Sequence, residues 1–223
     1  MRHLLEYLMA RALFGVLGRL PTGPGERLGA ALGRVAHRLG WRRAVVEDQL
    51  ARAFPDRGRD WVRSTGRACY EHLGREAVAV TWLARAGGTA IRRAVERFEG
   101  RERLAEALAE SGSAVIVTGH LGNWEVAGST LPAFGFPMDA VMQGIKNPWL
   151  DTYVRRVRRR LGMGLVDRVD AWDRLVETLR DGRIVAFVAD QDARERGVFV
   201  PFFGRLASTH RAPALLALRA DVP

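Results

Sequence analysis

The chain has 223 residues, 48% of them hydrophobic and 27% charged, with six tryptophans. This is enough apolar surface for one sizeable α/β domain or two small ones, and it excludes a disordered chain. The 35 Lys and Arg against 25 Asp and Glu give a formal charge of +10, which suits a polyanionic partner (nucleic acid, anionic headgroups or an acidic protein) without choosing among them. The single cysteine, Cys69, excludes an intramolecular disulfide and a multi-cysteine metal site, and its apolar-periodic neighbours Ala68, Leu73 and Ala77 predict a small core residue.

In chain order, residues 1–20 place Leu4, Leu5, Leu8, Met9, Ala12, Leu13, Val16, Leu17 and Leu20 at helical spacing. Arg2, Glu6, Arg11 and Arg19 interrupt any run long enough to span a bilayer, and no small-residue cleavage site marks a secretory signal. The segment reads either as an amphipathic helix lying in a membrane interface or as an ordinary packed helix. Helical patterning continues to about Glu110, with breaks expected at 21–25, 54–56 and 87–88.

The character changes at Ser111-Gly112-Ser113. Residues 114–118 form a short β-branched run that predicts a buried strand, and further strands are expected at 138–143 and 184–189. Helices are expected from Trp124 to about Ser129, from Trp149 to about Leu161, and over 171–180. The apolar stretch 198–204 reads as an edge strand or a pocket wall, because Pro201 cannot serve a central ladder. The alternation predicts an α/β fold: a helical N-terminal region, 1–110, followed by an α/β core, 111–223, built as a mixed sheet with helices on its faces.

Chemistry in open α/β sheets gathers beyond the carboxyl ends of the strands. Two such ends are rich in polar residues here, Thr118–Glu125 after the first strand and Asp190-Gln191-Asp192 after the third, and the sheet is expected to bring them to one rim. His120, with glycines at 119 and 122, could accept a proton from a hydroxyl, and Glu125 on the first turn of the next helix is the expected partner of its second ring nitrogen. The amides of Leu121 to Asn123 and the helix N-terminus are expected to face an oxyanion. A His–Glu pair at this spacing also occurs as an ordinary structural pair. A metal site would need a third ligand, for which Asp190 or Asp192 could serve, but no other histidine is placed to join, and no Gly-x-Ser-x-Gly elbow supports a serine hydrolase.

His120-Leu121-Gly122-Asn123-Trp124-Glu125 resembles the His-x4-(Asp/Glu) signature of glycerolipid-type acyltransferases, and more narrowly the HxGNWE form of the bacterial lipid A lauroyl/myristoyl transferases; the phosphatidylinositol mannoside acyltransferases are similar. The segments 146–151, 165–168, 189–192 and 197–204, and the N-terminal helices, carry the same resemblance over nearly the whole chain.

The resemblance implies a glycerolipid-acyltransferase-like fold and an O-acyltransferase without cofactor or metal. It would take an acyl chain from acyl carrier protein or coenzyme A to a membrane glycolipid, at the cytoplasmic face of the bacterial inner membrane. It makes His120 the base, Glu125 its orienting partner, and Asn123, Arg158, Arg168, Asp190 and Asp192 substrate-binding, with the arginines suited to phosphate. Asp190 and Asp192 read equally as holders of those arginines or of the donor, and as loop caps. Family members usually continue beyond the point matching Pro223, so a further C-terminal part is expected, and 208–213 departs from the family's usual Thr-x-x-Gly-Pro-like stretch. The alternatives are acylation of a lysophospholipid or a phosphatidylinositol mannoside, or a non-catalytic basic membrane-binding protein. No helix-turn-helix, zinc-knuckle or aromatic RNA-binding signature supports a nucleic-acid partner.

Overall fold

In a computed structural model describing residues 1–169 and 171–223, helices fill the chain to Ser111 and the first strand begins at Ala114, where the patterning turns β-branched. The helices are α1 (Arg2–Leu17), α2 (Thr22–Arg38), α3 (Arg43–Ala53), α4 (Arg59–Leu83), α5 (Gly88–Ala94) and α6 (Arg101–Ser111). There follow β1 (Ala114–Thr118), α7 (Trp124–Ala133), β2 (Met138–Met142), α8 (Pro148–Arg160), β3 (Gly164–Asp167), α9 (Trp172–Arg180) and β4 (Ile184–Val188). A 3₁₀ turn at Arg194–Arg196 then leads into a two-stranded hairpin of β5 (Val198–Phe202) and β6 (Arg205–Thr209), and α10 (Ala212–Ala220) closes the sequence of elements.

Two compact units divide these elements. Met1–Ala10, Ala86–Phe199 and Ser208–Pro223 form the larger, and Arg11–Arg85 with Val200–Ala207 the smaller. The smaller unit is built on the pairing of α2 with α4. Gly25, Gly29 and Gly33 recur every fourth residue on α2 and give a bare stripe, so close to α4 that a Cβ at Gly29 or Gly33 would strike the α4 backbone at Gly74 or Tyr70. The break expected at 21–25 falls partly within α2, whose first turn contains Pro24; amides there have no intrahelical acceptor, so proline costs nothing. The buried stripe of α4 runs through Val62, Gly66, Tyr70 and Val78, one residue out of phase with Cys69, which is exposed rather than in a core.

The larger unit holds the sheet, ordered β1-β4-β2-β3, and its strand pairings are all parallel, where a mixed sheet was expected. Strand β3 and the hairpin strand β6 were not anticipated as strands. The stretch 198–204 joins the separate hairpin, in which every residue of β5 is exposed. A parallel sheet needs both faces covered. On one face, Val166, Val185 and Phe187 pack with Leu175 and Leu179 of α9 and Leu216 of α10. Alternation turns Met142 to the other face, where Arg158 of α8 meets its Sδ at 3.6 Å.

At the amino ends of the strands, Asp139 is 5% exposed and is satisfied by the Thr178 hydroxyl (3.1 Å) and by the guanidinium of Arg183 (Nε, 3.1 Å). The catalytic candidates lie at the opposite rim.

Candidate active site

Strands β1 and β4 pair in register, Thr118 opposite Val188, and Ala189 continues the ladder by donating to the Thr118 carbonyl at 2.9 Å. His120 and Asp190 each stand two residues beyond their strand, so the register alone sets them face to face. Asp190 Oδ2 accepts the His120 backbone N–H at 2.7 Å, and Oδ1 lies 2.7 Å from ring Nδ1. The backbone can come this close because residue 119 is glycine: a Cβ there would stand 2.9 Å from Asp190 Oδ2. Burial pushes the Asp190 carboxyl up, but the two hydrogen bonds from His120 and its charge outweigh this and hold it below the usual aspartate range.

An ionised carboxylate accepts only, so Nδ1 carries a proton, and in the neutral imidazole the lone pair then lies on Nε2. Both side chains remain over a third exposed, which leaves the ring open to a substrate. The indole of Trp124 packs against the imidazole at 4.8 Å between centroids and 74° between planes, edge to face.

Gly122 takes a left-handed φ of 53°, turning the chain from His120 into α7. Asn123 caps that helix, its Oδ1 accepting the Val126 N–H at 3.1 Å, while its Nδ2 is buried with no hydrogen-bond partner among the described residues. Of the three amides expected to face an oxyanion, that of Leu121 already donates to the Gly119 carbonyl at 2.8 Å.

Glu125 makes a different contact from the one expected. Its carboxylate takes both Nε (3.0 Å) and a terminal nitrogen of Arg158, a two-pronged pair with each side chain 20% exposed. The orienting contact to His120 is made instead by Asp190, because the turn at Gly122 carries Glu125 to the first turn of α7 while strand register brings Asp190 to the ring. Arg158, expected to meet phosphate, is engaged by Glu125.

One turn earlier on α8, Arg155 grips Asp151 (2.6 Å) and, with two nitrogens, Asp167 at the end of β3, and these carboxylates raise its pKa further. The Ile145 amide at 2.8 Å, then Arg155, hold Asp151 below the usual range despite some burial. Arg168 is exposed, its backbone N–H bound to the Met142 carbonyl at 3.0 Å. Asp192 caps the 3₁₀ turn, accepting the Arg194 amide at 2.9 Å. The structure thus joins His120 with Asp190 and Glu125 with Arg158, and leaves Arg168 and Asp192 outside both pairs. Among the described residues no group of three or more His, Cys, Asp or Glu side chains gathers that could hold a metal ion.

The chain is similar to curated proteins over about half of its length. The chain is 30% identical over 121 residues to a "Phosphatidylinositol mannoside acyltransferase" of Mycolicibacterium smegmatis, covering 52% of this chain and 40% of the relative. It is 31% identical over 123 residues to a protein of the same name from Mycobacterium tuberculosis, covering 53% and 39%. A "Lipid A biosynthesis acyltransferase" of Haemophilus influenzae is 27% identical over 113 residues, covering 50% and 36%. The chain thus matches about two fifths of the length of these relatives. Residues 1–223, and with them both the His120–Asp190 pair and the Glu125–Arg158 pair, fall within the profile described as "Bacterial lipid A biosynthesis acyltransferase", and the chain belongs to that family.

Proposed function

We propose that the protein is a membrane-associated O-acyltransferase, moving a fatty acyl chain from an acyl carrier protein or coenzyme A thioester to a hydroxyl of a lipid A precursor or similar glycolipid. The observation that carries this reading is the His120–Asp190 pair, with Nδ1 held by a carboxylate and Nε2 left to meet a hydroxyl at the carboxyl end of a parallel sheet. Nε2 of His120 takes the acceptor's proton as its oxygen attacks the thioester carbonyl. The imidazolium so formed faces the Asp190 carboxylate. The tetrahedral oxyanion expels the thiolate, which leaves as thiol with the proton from Nε2. Glu125 and Arg158 tie the first turn of α7 to α8 and so fix the loop that carries the base. Neither the acceptor hydroxyl nor the thioester requires a resident cofactor.

A mannoside of phosphatidylinositol is the second reading, favoured by the names of the mycobacterial relatives. Both acceptors present a sugar hydroxyl beside anionic phosphate in a bilayer. The test is to incubate the protein with bacterial membranes and acyl carrier protein or coenzyme A bearing a labelled lauroyl or myristoyl chain, alongside His120→Ala. Label in a glycolipid, absent with the variant, supports transfer and identifies the acceptor by mass. Absence of label with either donor, in the presence of both acceptor classes, overturns it.

A further inference from the structure

The first ten residues sit in the larger unit with their polarity reversed from that of a packed helix. His3, Glu6 and Tyr7, which share one side of α1, face the body. Asn147 Nδ2 donates to the His3 carbonyl at 2.8 Å and to Glu6 Oε2 at 3.0 Å, and the Tyr7 ring lies 6.1 Å from that of Trp149 and 6.2 Å from that of Tyr153. At 3.6 residues per turn, Leu4, Leu5, Leu8 and Met9 fall on the opposite side, in an arc of about 140°. They are 43%, 60%, 54% and 65% exposed, and α1 has no buried residue. A helix that turns its hydrogen-bonding side inward and its leucines outward is arranged for an apolar medium.

The attachment point places this face near the chemistry. Asn147 is 5% exposed and caps α8, its Oδ1 accepting the Trp149 and Leu150 amides at 3.1 and 3.3 Å. It closes the loop that leaves the carboxyl end of β2, the strand next to β4, which carries Asp190. The same loop exposes Ile145 and Lys146, and Trp149 beside Tyr7 is 53% exposed. Cations flank the apolar face at Lys146 and at Arg2, which is exposed and also pairs with Glu6 at 3.1 Å, an edge that matches anionic headgroups.

We infer that α1 and the Ile145–Trp149 edge form one surface that seats on an anionic bilayer, and that Asn147 is the latch setting its orientation. This rests on the membrane-bound acceptor proposed above and says where that acceptor's bilayer lies: at the β2 end of the catalytic rim. No helix among the described residues is long and apolar enough to cross the membrane, so α1 lies in its plane.

The test uses the whole chain, with Cys69→Ser removing the native thiol, and vesicles of phosphatidylcholine with or without phosphatidylglycerol. An environment-sensitive fluorophore is attached through Lys146→Cys, or through Asp181→Cys at the opposite rim as control. With phosphatidylglycerol vesicles the label at 146 brightens and shifts to the blue, and the label at 181 does not. Leu5→Glu with Met9→Glu lowers partitioning by about 100-fold. Asn147→Asp keeps the α8 cap, which needs only an acceptor, but cannot donate to His3 and repels Glu6. Its partitioning persists while the signal at 146 falls, and Glu6→Gln restores it by supplying a donor. Failure to bind, or binding with the label at 146 still in water, overturns the inference. None of these readouts involves acyl transfer, so an enzyme that seats on vesicles without transferring acyl chains would count against the proposed function alone.

Discussion

The Asp190 carboxylate holds His120 twice, by the backbone N–H and by ring Nδ1, at 2.7 Å each. Two bonds to one carboxylate fix both the position of the loop and the rotation of the ring, so the direction of Nε2 is set before any substrate arrives. A single ring contact would leave the loop free to move the base away from its target.

Replacing Asp190 by Asn keeps the shape but removes the charge facing the imidazolium and permits the wrong tautomer. Turnover is expected to fall by about 100-fold or more with the acceptor KM little changed, and His120→Ala to fall at least as far. Initial rates against acceptor concentration check both; a turnover near that of the native protein for Asp190→Asn would assign the contact to folding alone.

The same pair carries a pH signature. The Asp190 pKa is lowered in the folded protein, so its contribution to stability is present above the unfolded value of about 3.9 and is lost as pH falls through the lower folded value. Urea midpoints of the native protein and of Asp190→Asn are expected to differ at neutral pH and to converge below about pH 4. A gap that persists unchanged into strong acid would contradict the ionised pairing.

Glu125 and Arg158 are mutually satisfied and only 20% exposed, so each single loss leaves a half-buried charge without its partner. Glu125→Gln and Arg158→Gln are each expected to cost about 1–3 kcal/mol, and the double variant less than the sum. Denaturant unfolding of the four proteins closes the cycle; additive losses would mean the pair is not coupled.

Gly164 opens β3 against the Asp139 carboxylate, which a Cβ there would overlap. Gly164→Ala must displace Asp139 from Arg183 and Thr178, and a loss of about 2–4 kcal/mol is expected, read as a lowered thermal midpoint. An unchanged midpoint would show that the Asp139 cluster adapts freely.

The strands β1, β2 and β4 were legible because short, mostly apolar runs bounded by turn residues have few other uses, and the helices α7 and α8 were expected close to where they lie, whereas their caps Asn123 and Asn147 emerged only with the structure. Strand β3 escaped because four residues beginning with glycine carry too little pattern. The placement of the polar rim was also readable, since it depends only on where strands end.

Sequence by itself determined the α/β class, the family resemblance, and that His120 and Asp190 stand beyond the carboxyl ends of strands, because hydrophobic period and turn chemistry are local properties of the chain. Tertiary structure decided which carboxylate meets the imidazole. Glu125 is five residues away in the chain and Asp190 seventy, yet the β1–β4 register brings Asp190 to His120, and α8 draws Glu125 to Arg158. It likewise decided that Cys69 faces outward and that α1 turns its leucines away from the body. A helical pattern shows that a helix has an apolar side, but only its neighbours decide which side is covered.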